Sequence, residues 1–186
     1  MEIKTIEIAG LASALTALRL PFGKEVRSDI QTDIPRQDVL DAFLIWENGS
    51  KVDINEKDLT LMQSLIKRGD EHAKVLRGIL VWAKITAPIF WWCEEETYIA
   101  GHQRLCSEST MHIDCQGLSG EELVKAKSEI PMGKELTKVD FFSYQCLRNM
   151  VKQRHNHRLP EWHTFVDWVR TLPFAEELIL VGLELD

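Results

Sequence analysis

Residues 87–112, APIFWWCEEETYIAGHQRLCSESTMH, hold many of the side chains in this sequence that could do chemistry. These side chains carry carboxylate, hydroxyl, imidazole or guanidinium groups. In chain order they are Glu94, Glu95, Glu96, Tyr98, His102, Arg104, Ser107, Ser109 and His112. Such groups act as general acids and bases, as metal ligands and as binding groups for anions. An ordinary helix that buries aromatics and solvates acids has the same composition, so each chemistry has to be weighed against that interpretation.

A zinc site is the first chemistry to consider, because four zinc-binding residue types follow one another at spacings of three, five and two residues. These residues are His102, Cys106, His112 and Cys115. Structural zinc sites pair close ligands, typically as CxxC, and the sequence has no such pair. The RHNHR run at 154–158 is equally explained by the preference of cations for the end of a helix. We therefore predict no metal site.

Acid–base and nucleophilic catalysis are the next candidates. Adjacent acids on a helix point in different directions, so one of Glu94, Glu95 and Glu96 could face a cleft while the others are solvated. Ser107 and Ser109 lack the GxSxG elbow of a nucleophile. The sequence also lacks the glycine-rich loops that bind ATP or dinucleotide phosphates in the common folds. Six tryptophans are expected mainly in the core or at subunit contacts, although one could stack on a flavin or a base.

Composition limits the class of protein. With 186 residues, 45% hydrophobic and 27% charged, the chain can fold around a sizeable core. Its net charge of −7 argues against a broad non-specific grip on nucleic acid. The cysteines form no CxxC pair, the first residues do not resemble a signal peptide, and the longest apolar stretch is too short to cross a bilayer. We expect a cytoplasmic protein with reduced thiols and no membrane association.

The periodicity predicts a helix-rich α+β protein that forms a single domain over residues 1–186. Strands are predicted in EIKTIEIAG and, as the central strand, in AKVLRGILVWAKITAP. Helices are predicted in LASALTALRL, NEKDLTLMQSLIKRGD (capped by Asn55 or by the acids after it), residues 89–99, SGEELVKAKSEI, TKVDFFSYQCLRNMVKQR and PEWHTFVDWVRTL, the last with Pro160 in its first turn. Residues 23–55 are weakly patterned.

The order of these segments over residues 56–172 resembles the flavin-dependent thymidylate synthases (ThyX). One similar segment is GDEHAKVLRGILVWAKITAPIFWW. It corresponds to a strand of that family that ends near Ala-Pro and to the helix that follows this strand. IPMGKELTKVDFFSYQCLRNMVKQRHNHRLPEW is similar to the closing segment of the family. The WW…E…TY and STMH patterns resemble more closely a divergent branch from bacteriophages and gut bacteria. The resemblance implies a ThyX-like fold with a small mixed or antiparallel sheet.

The resemblance also implies a substrate site. Aligned without gaps from APIF, Glu94 occupies the position of a substrate-side glutamine, and Ser107 falls on the last serine of the family motif. Arg154 matches the arginine that contacts the uracil ring. Ser107 and Arg154 are therefore the implied catalytic residues, and Glu94 binds the substrate with them.

A flavin site is implied in the same way. His72 matches the flavin-side histidine, and a shifted alignment brings Arg104 onto the Arg-His-Arg motif of the family. Tyr98 lies in that motif in the ungapped alignment, where Thr97, Tyr98 and Ile99 replace its three residues. His72, Tyr98 and Arg104 are the implied ligands of FAD. The missing arginines matter because planar, bidentate donors hold phosphate groups well.

The function implied by the resemblance is binding of a pyrimidine nucleotide such as dUMP by a homo-oligomer. If the protein is an enzyme, the reaction is a flavin-dependent methyl transfer to dUMP, with folate as the carbon donor. The missing arginines favour an alternative: a non-catalytic, phage-associated protein that inhibits a bacterial defence system, of the anti-CRISPR type, in the host cytoplasm. An acidic face could then occupy the nucleic-acid channel of a bacterial defence protein. A third alternative is a structural or regulatory oligomer without a small ligand.

Overall fold

The computed structural model describes residues 1–18, 20–22 and 54–185. The strands are β1 (Glu2–Ala9), β2 (Leu80–Pro88), β3 (His102–Ser107) and β4 (Glu135–Ser143). The α-helices are α1 (Leu11–Leu18), α2 (Glu56–Lys67), α3 (Ile89–Glu95), α4 (Thr110–Ile113), α5 (Gly120–Ser128), α6 (Tyr144–Arg154) and α7 (Pro160–Arg170). Short 3-10 helices span Leu20–Phe22 and Lys74–Arg77, and a π-helix spans Ala175–Ile179.

The four strands form one sheet in the order β1-β2-β4-β3, and each neighbouring pair is antiparallel. This confirms the predicted α+β fold with a small antiparallel sheet. The strand predicted as central, β2, lies between β1 and β4. Most of the weakly patterned segment, with Trp46, falls outside the described residues. None of the described helices has the length and apolar character needed to cross a membrane.

One face of the sheet is apolar on β2 but charged on β4 and β3. Val81, Ala83 and Ile85 are fully buried on β2. Their cross-strand partners on β4 are Phe142, Asp140 and Lys138, in that order. On β3, His102 pairs with Phe142 and Arg104 pairs with Asp140. Since cross-strand partners share a face, four ionisable side chains project toward the interior of the protein.

An aromatic cluster covers the apolar part of this face. The ring of Phe142 lies 6.0 Å from Phe165 and 6.2 Å from Trp168, both on α7. Trp91 on α3 lies 5.8 Å from Phe165 and 5.1 Å from Trp162. Helices α3 and α7 are therefore held to the sheet and to each other by large buried rings, each of which contributes substantially to the core.

The helix ends follow from local chemistry. Asn55 begins α2, and its side chain accepts a hydrogen bond from the backbone N–H of Lys57, as predicted. Pro160 occupies the first turn of α7, also as predicted, because its missing N–H is not needed there. Gly10 joins β1 to α1 with a φ of 92°, and a Cβ atom there would overlap the carbonyl oxygen of Gly78.

Two predictions of local structure were wrong. The segment TKVDFFSYQCLRNMVKQR is not one helix, because its first half continues β4 and only Tyr144–Arg154 is helical. Ser143 marks the change, since its side chain accepts from the N–H of Cys146 and caps α6. The predicted helix over residues 89–99 ends at Glu95, and the polar HQRLCS stretch after it forms β3.

Candidate functional site

Helix α3 is the element that organises the charged groups. Its N-cap residue is Pro88, which has an extended conformation and is the last residue of β2. Trp91 and Trp92 are buried on its inner side. Because successive helical residues are about 100° apart, the three acids at its end point in different directions. Glu94, Glu95 and Glu96 accordingly enter different environments.

Glu94 is the centre of a first group of side chains. Its Oε2 atom accepts hydrogen bonds from Nη1 of Arg154 and from Nε1 of Trp162, each at 2.9 Å. Nε2 of His157 lies 3.3 Å from the same oxygen. We call Glu94, Tyr98, Arg154, His157 and Trp162 the Glu94 cluster. It joins the end of α3 to the end of α6 and the start of α7.

The guanidinium group of Arg154 is held in one orientation. Its Nε donates to the hydroxyl oxygen of Tyr98 at 2.8 Å, and this hydroxyl donates to Gln153 at 3.2 Å. The guanidinium carbon lies 4.8 Å from the ring centre of Trp162 and 5.6 Å from that of Tyr98, so cation–π attraction adds to the hydrogen bonds. The side chains of Arg154 and Glu94 are 20% and 33% exposed, so both are partly open to solvent.

Glu95 is the centre of a second group. Its carboxylate is fully buried and lies 3.1 Å from Nε2 of His102. The same nitrogen lies 3.3 Å from the buried carboxylate of Asp140. Nδ1 of His102 is 2.9 Å from the backbone oxygen of Tyr98, and the imidazole is stacked on Phe142 at 4.8 Å. We call Glu95, His102 and Asp140 the Glu95 cluster.

Two cations border the Glu95 cluster. Nε and Nη2 of Arg104 lie 3.4 Å from Asp140 and 3.6 Å from Glu95. Nη1 of Arg104 and Nζ of Lys138 both lie 2.8 Å from Oε1 of Glu96, which is half exposed. Lys138 also lies 4.2 Å from the ring centre of Trp92. Each of the two cations lies close to at least one carboxylate, and nearby opposite charges reduce the cost of burial.

Burial and the neighbouring charged groups shift the pKa values of three of these side chains. Burial raises the pKa of Glu95 to about 7, although His102 and Arg104 act in the opposite direction. Burial alone would lower the pKa of His102, but the carboxylates of Asp140 and Glu95 outweigh it and raise the pKa. The hydrogen bond from Lys138 lowers the pKa of Glu96. Strongly shifted acids of this kind are common at functional sites and also occur in structural ion-pair networks.

The structure brings together half of the site residues predicted from the sequence. Glu94, Tyr98 and Arg154 are in direct contact in the Glu94 cluster. Arg104 lies beside the Glu95 cluster instead. All three nitrogens of its guanidinium group face carboxylates, at 2.8–3.6 Å.

The other two predicted residues lie elsewhere. Ser107 is exposed at the far end of β3, opposite Lys138. It lies five positions after His102 along the strand, which corresponds to roughly 16 Å. His72 is exposed in the turn after α2, where its Nε2 lies 3.7 Å from Glu71. The roles predicted for Ser107 and His72 stay predictions.

The sequence did not identify the Glu95 cluster. Of the four residues weighed as zinc ligands, only His102 belongs to the group of potential metal ligands found among the described residues, and its companions there are Glu95 and Asp140. Asp140 was missed because its segment was predicted to be helical. The alternation of Lys138, Asp140 and Phe142 is the signal that could have placed all three on one face of a strand.

Comparison with known proteins defines the fold. No protein-family model and no curated protein sequence matches the chain. The solved structure of thymidylate synthase X (ThyX) from Helicobacter pylori with FAD and dUMP is similar, with a TM-score of 0.66 and 12% identity over 96% of this chain and 97% of that one. A second structure of the H. pylori flavin-dependent thymidylate synthase, also complexed with FAD and dUMP, gives a TM-score of 0.67 and 12% identity, and covers 97% and 99% of the two chains. The described part of the chain has a ThyX-like fold, which confirms the predicted fold class.

Proposed function

We propose that this protein binds a pyrimidine nucleotide such as dUMP in the Glu94 cluster, with FAD as its cofactor. Similarity of fold and the geometry of one contact support this proposal. The ThyX structures of similar fold contain both ligands, and the likeness covers at least 96% of either chain. The single observation that carries the proposal is the contact between Arg154 and Glu94, because it places a fixed donor and a fixed acceptor side by side at a partly open position.

The geometry suits a uracil ring. The edge of uracil presents an N–H donor between two carbonyl acceptors, and a guanidinium beside a carboxylate complements that pattern. The hydrogen bonds of Arg154 within the described residues use Nε and Nη1, which leaves the N–H groups of Nη2 for a ligand. One oxygen of Glu94 accepts the bonds described above, and its other oxygen can accept from the ring.

The phosphate groups need separate cations. Arg104 faces three carboxylates, and Arg148 donates from Nη1 to two backbone carbonyls, so neither fits a phosphate-binding role. Lys152 and Arg158 are exposed close to Arg154 in the chain and fit better. FAD, when bound, supplies hydride-transfer chemistry. The part of this chain in a methyl transfer to dUMP is to hold the uracil ring with Arg154 and Glu94.

The test is ligand binding by the purified protein. We expect a flavin absorbance band after FAD is added, and a rise in melting temperature with dUMP. At a dUMP concentration 100 times the dissociation constant the stabilisation is about 2.7 kcal/mol. For a chain of this size this corresponds to a shift of roughly 5–10 °C. If dUMP causes no shift with or without FAD, the proposal is wrong.

A pair of variants locates the binding. Arg154→Ala removes the group that contacts both Glu94 and Tyr98, so the shift caused by dUMP should disappear. Arg170→Ala removes an exposed arginine at the other end of α7 from the Glu94 cluster, so most of the shift should remain. An equal loss in both variants would show non-specific attraction of the phosphate instead of recognition by the Glu94 cluster.

A further inference from the structure

We propose that Glu95, His102 and Asp140 form a binding site for a divalent transition-metal ion. Each residue offers one ligand atom, and the three atoms lie within 4.8 Å of one another. The site is separate from the Glu94 cluster, and its residues come from the end of α3 and from the facing strands β3 and β4. It would accept Zn²⁺, Mn²⁺ or Fe²⁺ through one nitrogen and two oxygens.

The distances between the ligand atoms fit a shared ion. Nε2 of His102 lies 3.1 Å from Oε1 of Glu95 and 3.3 Å from Oδ2 of Asp140. Two ligand atoms placed about 2.1 Å from one metal are separated by about 3.0 Å at a right angle and about 3.4 Å at the tetrahedral angle. Both measured separations fall within this range. The ligand atoms of Glu95 and Asp140 lie within 4.8 Å of each other, so one ion can contact all three residues if the two carboxylates move toward it.

The histidine is oriented in the way that a metal ligand requires. Its Nδ1 lies 2.9 Å from the backbone oxygen of Tyr98, which can only accept, so Nδ1 carries the proton. The lone pair of a neutral ring is then on Nε2 and faces the two carboxylates. Stacking on Phe142, with an angle of 7° between the ring planes, holds the imidazole in place. Metal-binding histidines are commonly fixed by such a bond from their second nitrogen.

The buried carboxylates supply the second, independent observation. Glu95 and Asp140 have no exposed surface, and their four oxygen atoms lack a hydrogen-bond partner among the described residues, as does Nε2 of His102. The ion-pair contacts at 3.1–3.6 Å are close enough for attraction but do not have hydrogen-bond geometry. Buried charges without hydrogen bonds are costly, and a divalent ion compensates both carboxylates at once.

Arg104 is compatible with the ion. It lies on the outer oxygens, Oε2 of Glu95 and Oδ1 of Asp140, whereas the atoms that face His102 are Oε1 and Oδ2. Each carboxylate therefore has one oxygen toward the arginine and one toward the proposed ion. Arginine on the outer oxygens orients the carboxylates, which is the usual role of partners that surround metal ligands.

The competing explanation is a proton in place of the metal. A doubly protonated His102 between the two carboxylates would give the same arrangement without any ion. Metal uptake distinguishes the two. The purified full chain is first stripped with a chelator and dialysed. In calorimetric titration it should then bind one equivalent of Zn²⁺ or Mn²⁺ per chain. Its melting temperature should be higher with the ion than without it. Absence of stoichiometric uptake would overturn the proposal.

Conservative variants assign the uptake to this site. Glu95→Gln, His102→Gln and Asp140→Asn keep the approximate size of each side chain and should weaken metal binding at least 100-fold. His112→Ala and His163→Ala, at exposed histidines outside both clusters, should bind like the unaltered chain. Circular dichroism would verify folding. If the three cluster variants fold and bind the ion unchanged, the metal is at another position and the proposal fails. The titration contains neither nucleotide nor flavin, so its outcome is independent of the proposed function.

Discussion

Nη1 of Arg154 donates to Oε2 of Glu94 at 2.9 Å, although the two residues are 60 positions apart in the chain. This bond connects the last residue of α6 to the last turn of α3. The indole N–H of Trp162 donates to the same oxygen, so the Glu94 carboxylate is positioned by groups from two helices. Hydrogen bonds to a charged group are stronger than those between neutral groups, so these bonds hold the Glu94 carboxylate and the Arg154 guanidinium in fixed orientations.

Glu94→Gln should weaken dUMP binding about 10- to 100-fold. The change removes the charge that holds Arg154 and replaces one of the two acceptor oxygens by an NH2 group, and a hydrogen bond to a charged group contributes about 1.5–3 kcal/mol. Calorimetric titration measures the dissociation constant. Glu96→Gln is the matched control, because Glu96 contacts Lys138 and Arg104 instead. Equal effects of the two substitutions would contradict the assignment of Glu94.

Arg148→Met should loosen the C-terminal segment. Nη1 of Arg148 donates to the backbone oxygens of Ile179 at 2.6 Å and Val181 at 2.9 Å, and methionine leaves both carbonyls without this partner. We expect a loss of about 2–4 kcal/mol in the free energy of unfolding and faster amide hydrogen exchange over residues 175–185.

The control for this change is Arg170→Met. Arg170 pairs with Glu176 at 3.8 Å, and both side chains are exposed, so the loss should stay below about 1 kcal/mol. If residues 175–185 exchange at the same rate in the Arg148 variant and in the unaltered protein, the two carbonyl bonds do not anchor this segment.

Gly10→Ala should destabilise the protein by more than about 3 kcal/mol. A positive φ costs a non-glycine residue roughly 1–2 kcal/mol, and the new Cβ would also overlap the carbonyl oxygen of Gly78. Gly117→Ala separates these effects, because Gly117 has a φ of 79° but a Cβ there meets no atom within 4 Å. Chemical denaturation should show only the smaller loss for Gly117. Similar losses for both variants would mean that the contact with Gly78 is relieved by a small movement.

Alkylation should divide the four cysteines into two pairs. Cys93 and Cys106 are exposed, whereas Cys115 and Cys146 are buried. Burial, together with the negative charge of Glu95, raises the pKa of the Cys146 thiol to about 12. Since the thiolate is the nucleophile, Cys146 stays protonated and unreactive at neutral pH. Mass spectrometry after iodoacetamide treatment should find two modified cysteines in the folded protein and four after unfolding. Labelling of Cys146 as fast as Cys93 would contradict this arrangement.

Local patterns predicted much of the fold. The N-cap at Asn55, the proline in the first turn of α7 and the apolar run of β2 depend on neighbours in sequence and were identified correctly. The start of β4 was missed because Lys138 and Asp140 occupy the buried face, where a strand pattern normally has apolar residues. Their burial depends on Arg104 and Glu96, which lie on other elements, so no local pattern could show it.

The sequence pointed to some residues of the candidate site and missed others, because some of their contacts depend on tertiary packing. Glu94, Tyr98 and Arg154 were selected through resemblance to a family, and the structure places them in contact. Glu95 and His102 lay within the segment considered first, but their meeting with Asp140 depends on the register between β3 and β4. Such register is decided by tertiary packing, which a single sequence does not reveal.

The neighbouring residues Glu94 and Glu95 belong to different clusters, so the two proposed binding equilibria share one peptide unit. If the ion shifts Glu95 when it binds, the adjacent Glu94 should shift with it, and a nucleotide that moves Glu94 should act on Glu95 in the same way. Thermodynamic linkage requires reciprocity: the factor by which the ion alters nucleotide affinity equals the factor by which the nucleotide alters ion affinity. The last turn of α3 would thus act as a coupling element between metal status and nucleotide occupancy.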